Sequence, residues 1–239
     1  MPYYYYGFDW TYLVLVLPVL ILSLLASARV NNTFKRYSSQ LSIRRITGAQ
    51  AAQCVLSANG VSGVRIERIS GNLTDHYDPK SNVIRLSDQV FDSTSTAAIG
   101  VACHEAGHAA QYANNYGPIK LRTAIIPITN IGSKLAMPLI LIGILITSFG
   151  SFSTILIYLG IACFSLSLLF QLVTLPVEFN ASRRAMQAID HANILTEDER
   201  IGAKKTLKAA AMTYVVATLA AFTQLLRLLI LFGGRRRND

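Results

Sequence analysis

The stretch His104-Glu105-Ala106-Gly107-His108 decides how the rest of this sequence is interpreted. It lies within residues 94–112, where small and apolar residues recur at helical spacing after hydroxyl side chains at residues 93–95 that can cap a helix. Two histidines four positions apart lie on one face of a helix, where their ring nitrogens can converge on one zinc ion. Glu105 can then accept the proton of a zinc-activated water as the general base. The stretch therefore predicts a helix that carries a zinc-dependent hydrolytic centre.

A catalytic zinc ion needs a third protein ligand and an open position for water. Glu178 is a candidate because it follows a long apolar run and comes two residues after Pro176, which would suit a helix start. His191 and His76 are rivals, the first near the end of a predicted helix and the second in a loop. Spacing alone leaves the third ligand open among these three residues.

The composition is typical of a membrane protein. Hydrophobic residues make up 52% of the 239 residues and charged residues only 15%, against roughly 25% in soluble domains. The net charge is +9, but the basic residues flank apolar runs, so we expect contacts with a lipid bilayer and no nucleic-acid partner. Cys54, Cys103 and Cys163 are far apart in the sequence, which argues against a disulfide framework.

Four apolar stretches are candidate membrane spans: residues 12–27, 135–150, 154–174 and 209–232. Basic residues follow the first stretch and flank the middle pair, which predicts an external N-terminus and cytoplasmic segments between the spans. The last stretch has basic residues at both ends; we expect it to span, with residues 235–237 outside. The sequence therefore predicts a multi-pass plasma-membrane protein whose active site lies on the cytoplasmic face.

The spans divide the chain into five predicted parts. They are an N-terminal anchor (1–29), a soluble part (30–120), a transmembrane hairpin (121–174), a soluble helix with the third zinc ligand (175–207) and a C-terminal membrane helix with a basic tail (208–239). The predicted fold class is a mainly α membrane protein with a small α+β soluble part.

Within the soluble part, the sequence predicts one helix and two strands before the histidine-bearing helix. Residues 48–57 form an apolar helical stripe that ends at Asn59-Gly60. Residues 64–69 and 82–87 favour strands, and the turn-like segment 73–79 between them predicts a β-hairpin.

Four segments together resemble a known family. They read GNLTDHYDP (71–79), IRLS (84–87), HEAGHAAQ (104–111) and LPVEFNASRR (175–184). These segments are similar to the neutral zinc metallopeptidases of bacterial membranes, the YugP type. The resemblance covers nearly the whole chain and implies a zinc peptidase with one Zn²⁺ ion.

The layout also resembles the membrane gluzincins of the heat-shock protease and CAAX-protease type. In those proteins a membrane hairpin separates the HExxH helix from a helix that bears a Glu ligand, which implies Glu178 as the third ligand here. They often carry Asp four residues after that Glu, whereas this chain has Ser182. The hydroxyl can still form a hydrogen bond to a ligand, but it implies a weaker anchor.

The resemblance implies peptidase activity but does not supply a substrate; we expect a peptide or a membrane-protein segment. An edge strand at residues 82–87 could pair with an extended peptide. Asn180, Tyr77 and His76 are further candidates for contacts with a ligand side chain or the substrate, and Tyr214 is a weaker one. A homo-oligomer is left open.

Two other functions are compatible with parts of the sequence. A non-catalytic, zinc-stabilised membrane scaffold would need four protein ligands, and the sequence offers three good ones. A transporter would need ionisable residues within its spans, and Arg227 is a single such charge without an evident partner.

Overall fold

The computed structural model describes residues 4–5, 8–146, 148 and 150–233. The helices are α1 (Leu17–Ser38), α2 (Gly48–Ala58), α3 (Asp88–Phe91), α4 (Thr96–Ala113), α5 (Gly117–Leu145), α6 (Ser151–His191) and α7 (Glu197–Gly233), with a π-helical turn at Tyr12–Val16. The strands are β1 (Tyr4–Tyr5), β2 (Phe8–Asp9), β3 (Arg65–Ile69), β4 (His76–Asp78) and β5 (Val83–Ser87). The chain is thus mostly helical with a small sheet, as the sequence predicts.

Among the described residues, four helical segments are long and apolar enough to cross a membrane: Tyr12–Ser38, Gly117–Leu145, Ser151–His191 and Glu197–Gly233. Each contains one of the four apolar stretches predicted from the sequence, apart from the residues between α5 and α6. Residues 235–237, which the sequence predicts to be outside the cell, lie beyond the described residues.

The prediction that a helix starts at Pro176 is wrong, because Pro176 lies inside α6. Proline removes one backbone donor from a helix, but flanking helix-forming residues can carry the helix through it. Val177, directly after it, is fully buried, so packing also holds this turn. As a result Glu178 lies in the interior of a 41-residue helix, not at the start of a new one.

Two compact units divide the described residues. Those of the first unit lie within Met1–Leu25, Leu121–Leu175 and Tyr214–Asp239, and those of the second within Ala26–Lys120 and Pro176–Thr213. In the first unit Ile140, Ile157, Ile161 and Leu228 form a small buried cluster.

Arg227 in the first unit is not an isolated charge, which corrects the expectation drawn from the sequence. Its Nε donates a hydrogen bond of 3.0 Å to Asp9 Oδ2, and its Nη2 donates to the same oxygen. The guanidinium also lies 5.4 Å from the centre of the Tyr12 ring. The apparent lone charge of a transport pathway is therefore half of an ion pair.

The second unit is built around α4. Its N-cap Ser95 accepts a hydrogen bond from Ala98 N at 3.2 Å, which satisfies a free donor of the first turn. Buried alanines of α4 pack against α2, whose own N-terminus is closed by a capping box of Thr47 and Gln50. Small side chains on α4 allow the backbones of the helices packed against it to approach closely. The histidine-bearing face of α4 therefore lies close to those helices.

The sheet of the second unit has the order β3-β5-β4, with β3 parallel and β4 antiparallel to β5. The predicted hairpin of residues 64–69 and 82–87 is therefore wrong: those strands are adjacent but parallel. The segment predicted as a turn contains β4, which folds back onto the other side of β5. Alternating side chains indicate a strand but not its direction, so this error could not be avoided from the pattern.

The strand predicted to pair with a substrate peptide, residues 82–87, contains β5. This is the central strand of the sheet, with a partner strand on each side. β3 pairs with Val83–Ser87 and β4 with Val83–Arg85, so this part of the strand is not a free edge for an additional strand.

Candidate metal centre

Helix α4 and the part of α6 that belongs to the second unit bring His104, His108 and Glu178 together. The Nε2 atoms of His104 and His108 lie 3.3 Å and 3.5 Å from Glu178 Oε2. One ligand atom from each of the three residues falls within 4.8 Å of the other two. The two imidazole rings are nearly perpendicular, at 80°, with centres 4.7 Å apart. Both histidines thus point the same nitrogen at one carboxylate oxygen.

This donor set fits a zinc ion. Two imidazole nitrogens and one carboxylate are a common protein contribution to catalytic zinc, with the fourth position left for water. Glu178 is 2% exposed, and a buried carboxylate requires a positive partner. Among the described residues the cluster contains three ligand side chains, which is the number for a catalytic site and one fewer than a closed structural site needs.

The electrostatics of the cluster favour a cation. Burial on its own would lower the pKa of His108, but the hydrogen bond to Glu178 and the charges of Glu105 and Glu178 raise it. The buried Glu178 carboxylate faces the Nε2 atoms of both histidines. The cluster therefore stabilises positive charge at the point where the three side chains meet.

The opposite side of each imidazole ring is also held by a hydrogen bond. Ser182 Oγ lies 3.1 Å from His104 Nδ1, and Gln111 Oε1 lies 3.0 Å from His108 Nδ1. Hydrogen bonds at Nδ1 fix the ring orientation and direct Nε2 towards the ligand position. The sequence predicts such a contact for Ser182 but not for Gln111. The sequence does contain an indication of the Gln111 contact, because Gln111 is the polar residue one turn after His108 on the same helix face.

Glu105 is 9% exposed and its carboxylate is oriented by the sheet. Tyr77 N, on β4, donates a hydrogen bond of 3.0 Å to Glu105 Oε2. Tyr77 therefore contributes its backbone to the site, while its hydroxyl donates to Asn82 at 2.7 Å and its ring packs 5.6 Å from that of Tyr112.

The three-residue cluster does not include the other candidates from the sequence. His76 is exposed and its Nδ1 lies 2.8 Å from Thr74 O. His191 is exposed at the end of α6. Asn180 Oδ1 accepts hydrogen bonds from Gln111 Nε2 at 3.0 Å and Arg184 Nε at 2.9 Å. Tyr214 belongs to the first unit.

The fold and this cluster define a class of protein: a mostly helical chain with membrane-length helices and a site formed by two histidines and a glutamate, of the kind that holds a catalytic metal. Residues 12–233 match the family described as "Putative neutral zinc metallopeptidase", and the chain belongs to that family. It is 43% identical over 228 residues to the "Putative membrane protease YugP" of Bacillus subtilis (strain 168), which covers 95% of this chain and 99% of that relative. No solved structure matches the chain significantly.

Proposed function

We propose that this protein is a membrane-embedded zinc peptidase that hydrolyses peptide bonds, with Glu105 as the general base. The observation that carries the proposal is the convergence of His104, His108 and Glu178, with Glu105 directly after the first histidine on the same helix. Membership in a family described as zinc metallopeptidases supports it. So does the likeness to a relative named as a membrane protease.

The three ligands would hold one zinc ion, which supplies Lewis acidity that lowers the pKa of a water molecule towards about 7 and polarises the peptide carbonyl. Glu105 takes a proton from the attacking water and delivers it to the leaving amine. The Tyr77 amide keeps one oxygen of Glu105 occupied, which fixes the orientation of the carboxylate for this transfer. Ser182 and Gln111 hold the two imidazole rings from behind.

The proposed setting is the plasma membrane, with a multi-pass chain and the active site on the cytoplasmic face. Its support is the distribution of basic residues beside the apolar stretches, together with four helices of membrane-spanning length. The proposed substrates are peptides or membrane-protein segments close to the bilayer. The five-part division of the chain, with soluble segments at 30–120 and 175–207, belongs to the same proposal.

The test compares the wild-type protein with Glu105→Gln in lipid nanodiscs, by peptide-library cleavage and by metal analysis. The amide cannot accept the proton, so we expect cleavage to fall by about 10²-fold or more while bound zinc is unchanged. Glu67→Gln is a matched control, because Glu67 is a partly exposed acid on β3 that pairs with Arg65 and does not belong to the cluster. Undiminished cleavage in Glu105→Gln would refute the proposed mechanism. Zinc retention without any wild-type cleavage would favour the zinc-stabilised scaffold instead.

A further inference from the structure

Gln111 is a fully buried polar side chain beside the candidate metal centre. Its amide makes three hydrogen bonds: Nε2 donates to Val177 O at 2.8 Å and to Asn180 Oδ1 at 3.0 Å, and Oε1 lies 3.0 Å from His108 Nδ1. A buried primary amide can make about four such bonds, so three is nearly full use of its capacity. This degree of pairing fixes the side chain in one orientation.

The direction of the amide follows from its partners and not from an arbitrary choice of O and N. Val177 O can only accept, so the NH₂ group of Gln111 must face it. Asn180 Oδ1 also accepts from Arg184 Nε, which identifies that atom as the oxygen and gives Gln111 a second acceptor. The Gln111 oxygen is left facing His108 Nδ1, which must therefore carry a proton.

The same amide touches both helices that supply ligands. Gln111 and His108 are on α4, and the two acceptors of its NH₂ group, Val177 and Asn180, flank Glu178 on α6. It thus holds one turn of each helix in register with the other. Ser182 faces the other imidazole, with its Oγ 3.1 Å from His104 Nδ1.

We infer that Gln111 is a positioning residue that orients two of the three zinc ligands at once. Its oxygen fixes the His108 ring with Nε2 towards the metal, and its NH₂ group fixes the α6 turn that carries Glu178. The inference rests on the proposed zinc site, but it concerns metal affinity and ligand geometry, not hydrolysis. Partners of this kind typically change metal affinity by about 10–100-fold when they are removed.

The first test uses the full-length protein in detergent micelles with two substitutions of similar volume. Gln111→Met removes both the acceptor and the donors, whereas Gln111→Glu keeps an oxygen that can face His108. Zinc affinity is measured by competition with a chelator, and ligand geometry by the visible absorption of the Co²⁺-substituted protein. We expect affinity about 10–100-fold weaker and a shifted cobalt spectrum in Gln111→Met, with Gln111→Glu between it and wild type.

Thr206→Val is the matched control, because Thr206 is a buried polar residue of the same unit whose Oγ1 donates to Gly202 O at 2.9 Å, away from the site. Its cobalt spectrum and zinc affinity should equal those of wild type. Equal losses in Gln111→Met and Gln111→Glu would overturn the role given to the oxygen. Wild-type affinity and spectrum in a folded Gln111→Met protein would overturn the inference altogether.

A measurement on the wild-type protein covers the case in which the variants fail to fold. With ¹⁵N-labelled histidine, the Nδ1 proton of His108 should be visible and slow to exchange in the zinc-loaded protein, because it is hydrogen-bonded to a buried oxygen. Fast exchange of that proton would contradict the assignment. None of these readouts needs peptide cleavage, so failure of the peptidase mechanism in Glu105→Gln leaves them interpretable.

Discussion

Gly107 of α4 lies directly against the backbone of Ala181 of α6: a Cβ atom at position 107 would be 2.7 Å from Ala181 O. Gly107 lies between the two ligand histidines in sequence, and Ala181 lies between Glu178 and Ser182. This close contact is what allows imidazoles on one helix to reach a carboxylate on the other. The glycine between the histidines is therefore a geometric requirement of the site and not a neutral spacer.

Gly107→Ala should separate the two helices at the site. The obstructing atom is a backbone oxygen, which cannot rotate away, so α4 or α6 must shift, at a cost typical of overpacking, about 1–3 kcal/mol. We expect zinc affinity to fall by about tenfold or more, since about 1.4 kcal/mol corresponds to a factor of ten. Chelator competition on the purified protein measures this. Gly117→Ala is the control, because no atom would lie within 4 Å of its Cβ; an equal loss there would contradict the explanation.

The ligand set makes a second prediction, on metal content. Alanine at His104, His108 or Glu178 should each reduce bound zinc from about one ion per chain towards zero at micromolar free zinc, because two protein ligands hold zinc poorly. Elemental analysis after gel filtration provides the readout.

His76→Ala and His191→Ala are the controls for the ligand set, because both side chains are exposed away from the cluster. They should retain wild-type zinc content. Loss of zinc in either of them, or full zinc in Glu178→Ala, would show that the ion is held elsewhere.

The sequence predicts the parts of this site that depend on local spacing. His104 and His108 share a face because any helix brings residues four apart together, and the apolar stretches predict the membrane-length helices. What could not be predicted depends on contacts between distant segments. The backbone contact of Tyr77 with Glu105 follows from a strand direction that the alternating pattern does not encode. Nothing near Arg227 in the sequence indicates a partner 218 residues away.

The Asp9–Arg227 pair makes a third prediction, on the stability of the first unit. The two side chains are 21% and 18% exposed, so each charge depends on the other. Asp9→Asn leaves the guanidinium with a neutral partner and should lower the free energy of unfolding in detergent by about 1–3 kcal/mol. The double variant Asp9→Leu/Arg227→Leu should lose less than the sum of the two single leucine variants. Additivity within about 0.5 kcal/mol would show that the pair is not coupled.

The turn after β4 makes the last prediction, on pH. Asp78 accepts hydrogen bonds from Ser81 Oγ at 2.6 Å, Lys80 N at 2.9 Å and Arg85 Nη1 at 3.2 Å, and these hold its pKa well below the ordinary value. Because the folded chain then binds this proton less tightly than the unfolded chain, its contribution to stability is present above the ordinary Asp pKa of about 3.9 and is lost as the pH falls through the folded-state pKa. Asp78→Asn cannot titrate, so the zinc-free wild type should unfold at a higher temperature than this variant at pH 7, and the difference should shrink as the pH is lowered below about 4. Thermal unfolding of both proteins from pH 7 to pH 3 measures the difference in unfolding temperature. A difference that stays constant or widens towards low pH would contradict the role proposed here for the Asp78 carboxylate, which is to hold the strand that orients Glu105.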